Sequence, residues 1–330
     1  MARRRDATLD ERRPRQQRTL LRERTVDQLS IEDERSFRHV GLYADLKAVL
    51  AADRYVFRVL PGTMSGRWDR ALLLNLTYWG AAGGDVLESE RVPADVVAHA
   101  AWHHLAARAL GIEAGIETGA APSAEALFLG ESIASAFDIY LVGRLLGHAP
   151  RSSFLATQVS AMAESSRAAG FPERVFQSLL KGVVRDPEGA FGELRQLLYD
   201  ATLALLPCRG ADEALAALTR FDAHRFGPLL HHYELSNWVL YALAYADRSP
   251  GGGSKAHAID ATLRARGDAL GWLASAWVSP ALDRRLIAST VALAPGSLTP
   301  MRGDRTRRKT AAAPQATRQP RPARSTRRAR

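Results

Sequence analysis

The sequence predicts an all-α or mainly α fold, a multi-helix globular domain with disordered basic tails. Three observations carry that prediction. Apolar residues recur at spacings of three and four through most of the chain, the period of a helix with one buried face. Strict alternation of apolar and polar residues over five or more positions is nearly absent. The strongest breakers, Pro61-Gly62, Gly83-Gly84, Gly170-Phe171-Pro172 and Pro207, fall between the periodic segments and not within them.

Taken in order, residues 1–30 hold nine arginines interspersed with acids and few aromatics, so they are expected to be mobile or at best a solvated helix. Residues 31–248 form the helical core domain, with helices expected at 36–52, 67–79, 94–110, 123–147, 152–168, 172–184, 190–206, 211–222 and 229–246. The best strand candidate is 55–60 (YVFRVL). Residues 249–255, within the run Arg248-Ser-Pro-Gly-Gly-Gly-Ser254, read as a flexible loop. Two further helices, 258–278 and 281–292, lie in a segment 256–296 expected to pack on the core. From 297 to 330 the chain is Pro/Ala/Arg-rich and too poor in apolar side chains to offset the entropy of ordering, so it is expected to be disordered.

Charge and composition exclude several classes. The formal net charge is +10, yet Arg302–Arg330 alone contains eleven basic residues and one acid, and the rest of the chain balances 34 basic against 34 acidic groups. The body is therefore not a basic nucleic-acid-binding domain, and any nucleic-acid contact is expected to be non-specific and confined to the tail. With 41 arginines to 4 lysines, the bias reads as codon composition, which lowers the meaning of any single arginine cluster. The lone Cys208 excludes an internal disulfide and a thiolate zinc site. No apolar run approaches the roughly 20 residues of a membrane span, Ala71–Trp79 being short and interrupted by Asn75. The charged N-terminus lacks the apolar stretch of a secretory signal. A cytoplasmic protein without a membrane partner is the expectation.

The most informative segment is Val92-Pro-Ala-Asp-Val-Val-Ala-His-Ala-Ala-Trp-His-His-Leu-Ala. Pro93 suits a first helical turn and Gly111 an end. At 100° per residue, Val96, His99, His103, Ala106 and Leu110 share one stripe, with Asp95 and Trp102 on its border. His104 and Arg108 fall on the opposite side, where they are expected to be solvated. The next helix, capped by Ser123 after Pro122, is apolar nearly all round and therefore central. Its Glu131 and Asp138 share a face with Leu127, Ser135 and Val142, so two carboxylates project into core and must meet a cation, donors or water.

Imidazoles at i and i+4 can bind one metal, and a carboxylate from a second helix completes a His₂Glu set. Over residues 95–140 this pattern resembles the gluzincin zinc metallopeptidases, in which an HExxH helix is followed by a helix carrying a glutamate ligand. The resemblance implies His99 and His103 as two metal ligands and Glu131, in the run GESIAS, as the third. It departs at Ala100, which stands where the family has its general-base glutamate, and a methyl group cannot accept a proton from the attacking water. The chain then reads as a pseudoenzyme, or as an enzyme using Asp138, Asp95 or Glu90 as a substitute base. Zinc suits two imidazoles and a carboxylate, and iron or manganese are also compatible. Asp95 either orients His99 or is simply an acid favoured at a helix N-terminus.

The residues alone leave open a metal site, a structural histidine–carboxylate network, or no contact between the two helices. The alternative function is a non-catalytic helical interaction or scaffold protein that binds an unspecified protein or peptide partner, with the basic tail as tether. Fainter signals surround these. The stripe Glu234, Trp238, Tyr241, Tyr245 after His231-His232-Tyr233 reads as core packing more readily than as a ligand site. His39 is a candidate third imidazole, as in helical-bundle metal proteins of the DinB type. Gly251–Lys255 lacks phosphate-loop spacing, Gly62–Gly66 is not a nucleophile elbow, and Arg302-Gly-Asp304 in a basic tail is coincidence.

Overall fold

The computed structural model describes residues 21–64, 77–78, 84–112, 120–247 and 253–283, and its fold is mainly α. Its N-terminal part holds more strand than expected. Strands β1 (Arg22–Thr25) and β2 (Ser30–Glu32) precede helix α1 (Gly41–Ala52), followed by β3 (Val56–Val59), β4 (Thr77–Tyr78), β5 (Gly84–Leu87) and β6 (Arg91–Pro93). One sheet runs β1-β3-β5-β4, with β1 antiparallel to β3 (Arg22 opposite Val59), β3 parallel to β5, and β4 antiparallel to β5. A second pair joins β2 and β6 in parallel, Ile31 opposite Val92.

The expected strand at 55–60 is therefore present, and within the charged segment before residue 30 Arg22–Thr25 is an edge strand and not a helix. Four residues of sequence RERT show no alternation to read, because the backbone of β3 and not an apolar face holds them. Residues 1–20 lie outside the described residues. So do most of the helix expected at 67–79, of which only Thr77 and Tyr78 are described, as strand, and all but the first residues of 281–292. The loop 248–252 and the tail 297–330, with Arg302–Asp304, are likewise outside.

The helices follow the expected spans closely where caps are strong. They are α2 (Ala94–Leu110), α3 (Ala124–His148), α4 (Ser153–Ala168), α5 (Glu173–Arg185), α6 (Pro187–Leu205), α7 (Ala211–Thr219), α8 (Leu235–Tyr245), α9 (Ser254–Arg264) and α10 (Ala269–Leu273). Pro93 is the N-cap of α2, and Gly111 ends it at φ +79°, a conformation that costs glycine little. Ser123 Oγ accepts the Ala126 N–H to start α3. Where a single long helix was expected the chain breaks. Residues 229–246 divide at Glu234, held at φ +47° between a 3₁₀ turn (Gly227–Tyr233) and α8. Residues 258–278 divide before Asp268, whose carboxylate caps α10 by accepting the Gly271 N–H.

Helix α3 is the axis of the body. It packs most extensively on α6 and next on α2, and it is buried on nearly every side. The approach at its C-terminal half requires glycine, since a Cβ on Gly143 would lie 2.7 Å from the Val183 carbonyl and 2.9 Å from Pro187 Cβ. By length and composition α3 would also suffice to cross a membrane, which corrects the expectation that no segment approaches that length; 89% of its most apolar window is buried within the protein. Helix α9 packs on α3 and α6, and α10 packs on α6.

One long-range contact ties the strand region to the helical body. Asp33, itself at φ +57°, accepts hydrogen bonds from Ser152 Oγ (2.5 Å) and the Ser153 N–H (2.8 Å), and so caps α4 from 120 residues away. Burial alone would raise its pKa, but donors from Ser152, Ser36, Phe154 and Ser153 outweigh burial and lower it. A depressed carboxylate contributes stability that is present above its unfolded pKa and is lost as pH falls through its folded one. Asp33→Asn, which tolerates the same backbone conformation, is expected to cost about 1 kcal/mol at pH 7. The deficit should vanish below pH ~3. Urea titrations of both proteins at the two pH values check this, and equal stability at pH 7 would remove the cap argument.

Candidate metal centre

The i, i+4 spacing places His99 and His103 on one face of α2, their rings edge to face with centroids 4.4 Å apart. Helix α3 crosses opposite that face because both helices are rich in small residues there, Ala100, Ala106, Ala134 and Ser135 among them, and it brings Glu131 to the pair. Glu131 Oε2 lies 3.2 Å from His103 Nε2 and 3.9 Å from His99 Nε2. Ligands about 2.0–2.1 Å from a tetrahedral ion stand about 3.3 Å apart, so these separations suit one shared cation. The three side chains form the group of described residues that can hold a metal ion.

Behind His103 stands a residue that the sequence did not single out. Asp85 of β5 has Oδ1 3.6 Å from His103 Nδ1, and its other oxygen accepts from the Tyr55 hydroxyl at 3.4 Å. A carboxylate on the second ring nitrogen directs the first toward a cation and raises the basicity of the imidazole. No signal in a Gly-rich run ending in Asp85-Val86-Leu87 points to this, because the contact exists only once β5 lies beside α2.

Burial pulls both imidazoles toward the neutral form, with different results. For His103 the carboxylates of Glu131 and Asp85 outweigh burial and raise its pKa to about 10. For His99 burial, reinforced by charge on His103, prevails and lowers it to about 4. Burial would raise the Glu131 carboxyl, and the two histidines reverse that and lower it. Two buried carboxylates thus converge on His103, and either a proton or a cation can satisfy them.

Of the other expected site residues, Asp138 lines the same pocket as Glu131, and burial drives its pKa well up. Asp95 neither bonds nor pairs with His99. Burial raises its pKa to about 6 and prevails over hydrogen bonds from its own and the Val96 N–H, the donors a helix's first turn offers an acid, which act the other way. Glu90 is drawn away by Arg24, 2.8 Å distant across the sheet, so it does not reach the site as a base. His104 is on the far face as expected, but it is paired with Asp53 (2.8 Å) and only 12% exposed, and Arg108 binds the same carboxylate. His39 is exposed beside His148, away from His99 and His103.

The imidazoles and Glu131 open onto a pocket of about 430 Å³. Its far wall comes from the break at Glu234: His232, Tyr233, Glu234, Trp238 and Tyr241 line it together with Asp138 of α3. The aromatic stripe read as core is therefore a pocket wall at Trp238 and Tyr241, while Tyr245 is 59% exposed. Gly62–Met64 form only a short 3₁₀ turn and Lys255 sits in the first turn of α9, which leaves neither as a site.

Comparison with protein-family models, with curated proteins and with solved structures finds no match. The geometry of the site stands alone as evidence.

Proposed function

We propose that the chain is a metal-binding protein, with zinc as the ion, whose site resembles a degenerate gluzincin centre built from His99, His103 and Glu131. The observation that carries this reading is the convergence of three donor atoms from two helices, backed by Asp85, at the floor of an open pocket. Three protein ligands beside open space is the arrangement in which zinc keeps a position for a further ligand. When bound, the ion would supply Lewis acidity at that position. The chain's own residues orient it: Asp85 and Tyr55 fix the His103 ring, and α3 carries Glu131.

The test is elemental analysis of purified protein, with close to one equivalent of divalent metal expected. Metal well below stoichiometry after refolding with zinc, iron and manganese in turn would overturn the reading. The residues would then be a structural network, with a protonated His103 donating from Nδ1 toward Asp85 and from Nε2 to Glu131, which favours the alternative of a non-catalytic interaction protein.

Peptide hydrolysis is not expected from the metal-loaded chain. Ala100 is a buried methyl in place of the family's general base, and such a base typically contributes ~10²- to 10⁴-fold. Chelator-sensitive cleavage of casein by the unmodified protein would contradict this and point to a substitute base.

A further inference from the structure

The pocket extends well beyond the three metal-binding side chains, and its far end has a different chemistry. Asp138 lies seven residues after Glu131 on α3, two turns or about 10 Å along the helix. Its carboxyl group makes no hydrogen bond or ion pair with any described residue, although burial holds its pKa far above the ordinary value. Nearby, the Tyr233 hydroxyl is buried without a hydrogen-bond partner on a side chain only 8% exposed. A buried hydroxyl without a partner is costly unless something else meets it, and the half-buried Asp138 carboxyl lines the same pocket. The same wall carries the Trp238 and Tyr241 rings and the Glu234 carboxylate, and no Lys or Arg lines the pocket among the described residues. His232 adds no cation there, because burial lowers its pKa. Glu234 is in addition held at φ +47°, an uncommon conformation for a non-glycine residue, at the junction that forms this wall.

We propose that this far end binds an organic cation, a primary ammonium or guanidinium group, with Asp138 as counter-ion, the Tyr233 hydroxyl as acceptor and the Trp238 and Tyr241 rings as its aromatic wall. A carboxylate with aromatic faces and no competing base is the arrangement that recognises such a group, because charge-assisted hydrogen bonds and cation–π attraction act together there. Entry of the cation gives the Asp138 carboxyl a counter-ion and the Tyr233 hydroxyl a donor at once. This site goes beyond the metal reading and does not require it, since none of its residues is a metal ligand.

The experiment is calorimetric titration of the full-length protein, as purified and after chelator treatment, with phenethylammonium, its neutral analogue 2-phenylethanol and phenylacetate. Phenethylammonium is expected to bind at least ~10-fold tighter than the alcohol in both preparations, since a charged hydrogen bond is worth about that. Asp138→Asn should abolish this preference without lowering the melting temperature, because the carboxyl has no protein partner to lose. Tyr233→Phe should reduce the preference less. Equal binding of amine and alcohol, a preference that survives Asp138→Asn, or no amine binding would overturn the proposal. Phenylacetate binding that weakens in Asp138→Asn would also overturn it, by making Asp138 a proton donor to anions. A protein without metal that still prefers the amine would sustain this proposal while the metal reading fell.

Discussion

His103→Ala is expected to weaken divalent-metal binding by more than ~10²-fold, the upper range for losing a residue that merely supports a ligand. His103 is 5% exposed and is in ion-pair contact with both Glu131 and Asp85. Two remaining donors cannot satisfy a tetrahedral ion. His99→Ala and Glu131→Gln should act similarly. Asp85→Asn, which leaves all three donors in place but loosens the ring, should cost ~10- to 100-fold. His104→Ala should leave affinity unchanged, since its ring faces Asp53 on the other side of α2. Competition titrations against a chromogenic chelator measure the whole series. Equal losses in His104→Ala and His103→Ala would mean that the variants act through the fold and not through a site. If no metal is bound, His103→Ala should instead lower stability, because it removes the imidazolium that pairs with both the Glu131 and Asp85 carboxylates.

Asp260→Ala is expected to destabilise the fold by about 3–5 kcal/mol, the range for breaking a buried ion pair from one side. Arg195 of α6 is 1% exposed and donates to Asp260 Oδ1 at 2.5 Å, while Arg264 donates to the other oxygen at 2.6 Å and continues to Asp200. Removing the shared carboxylate leaves a guanidinium almost wholly enclosed, and it leaves Arg264–Asp200 as the remaining ion pair between α9 and α6 among the described residues. The double variant Arg195→Met with Asp260→Leu should recover most of the loss, because an apolar pair of similar volume needs no solvation. Denaturant unfolding measures both. A loss under 1 kcal/mol in Asp260→Ala would show that Arg195 finds water or Asp200 instead.

The helical body was legible wherever local chemistry and burial agree. Pro93, Gly111 and Ser123 mark the ends of α2 and α3 by mechanisms that act within a few residues, and the spans follow. Glu234 and Asp268 interrupt helices whose apolar period runs on unbroken, because the period reports burial and not backbone direction. The strands were legible only at β3, a short apolar-rich run in which Phe57, Arg58 and Val59 are all buried. Strands such as RERT and GDVL are held by backbone bonds to distant partners and carry little pattern of their own.

The candidate site divides along the same line. Helical periodicity by itself put His99 and His103 on one buried face and Glu131 and Asp138 on another, since the angle between residues on a helix is set by the backbone alone. Whether those faces meet, at 3.2 Å in one pair and 3.9 Å in the next, depends on how α2 crosses α3. Asp85 behind His103, Asp53 under His104 and the wall formed by Tyr233, Trp238 and Tyr241 join segments from 18 to over 100 residues apart. Spacing in sequence cannot encode such contacts, because they are chosen by the packing of whole elements around α3, and tertiary structure alone decided them.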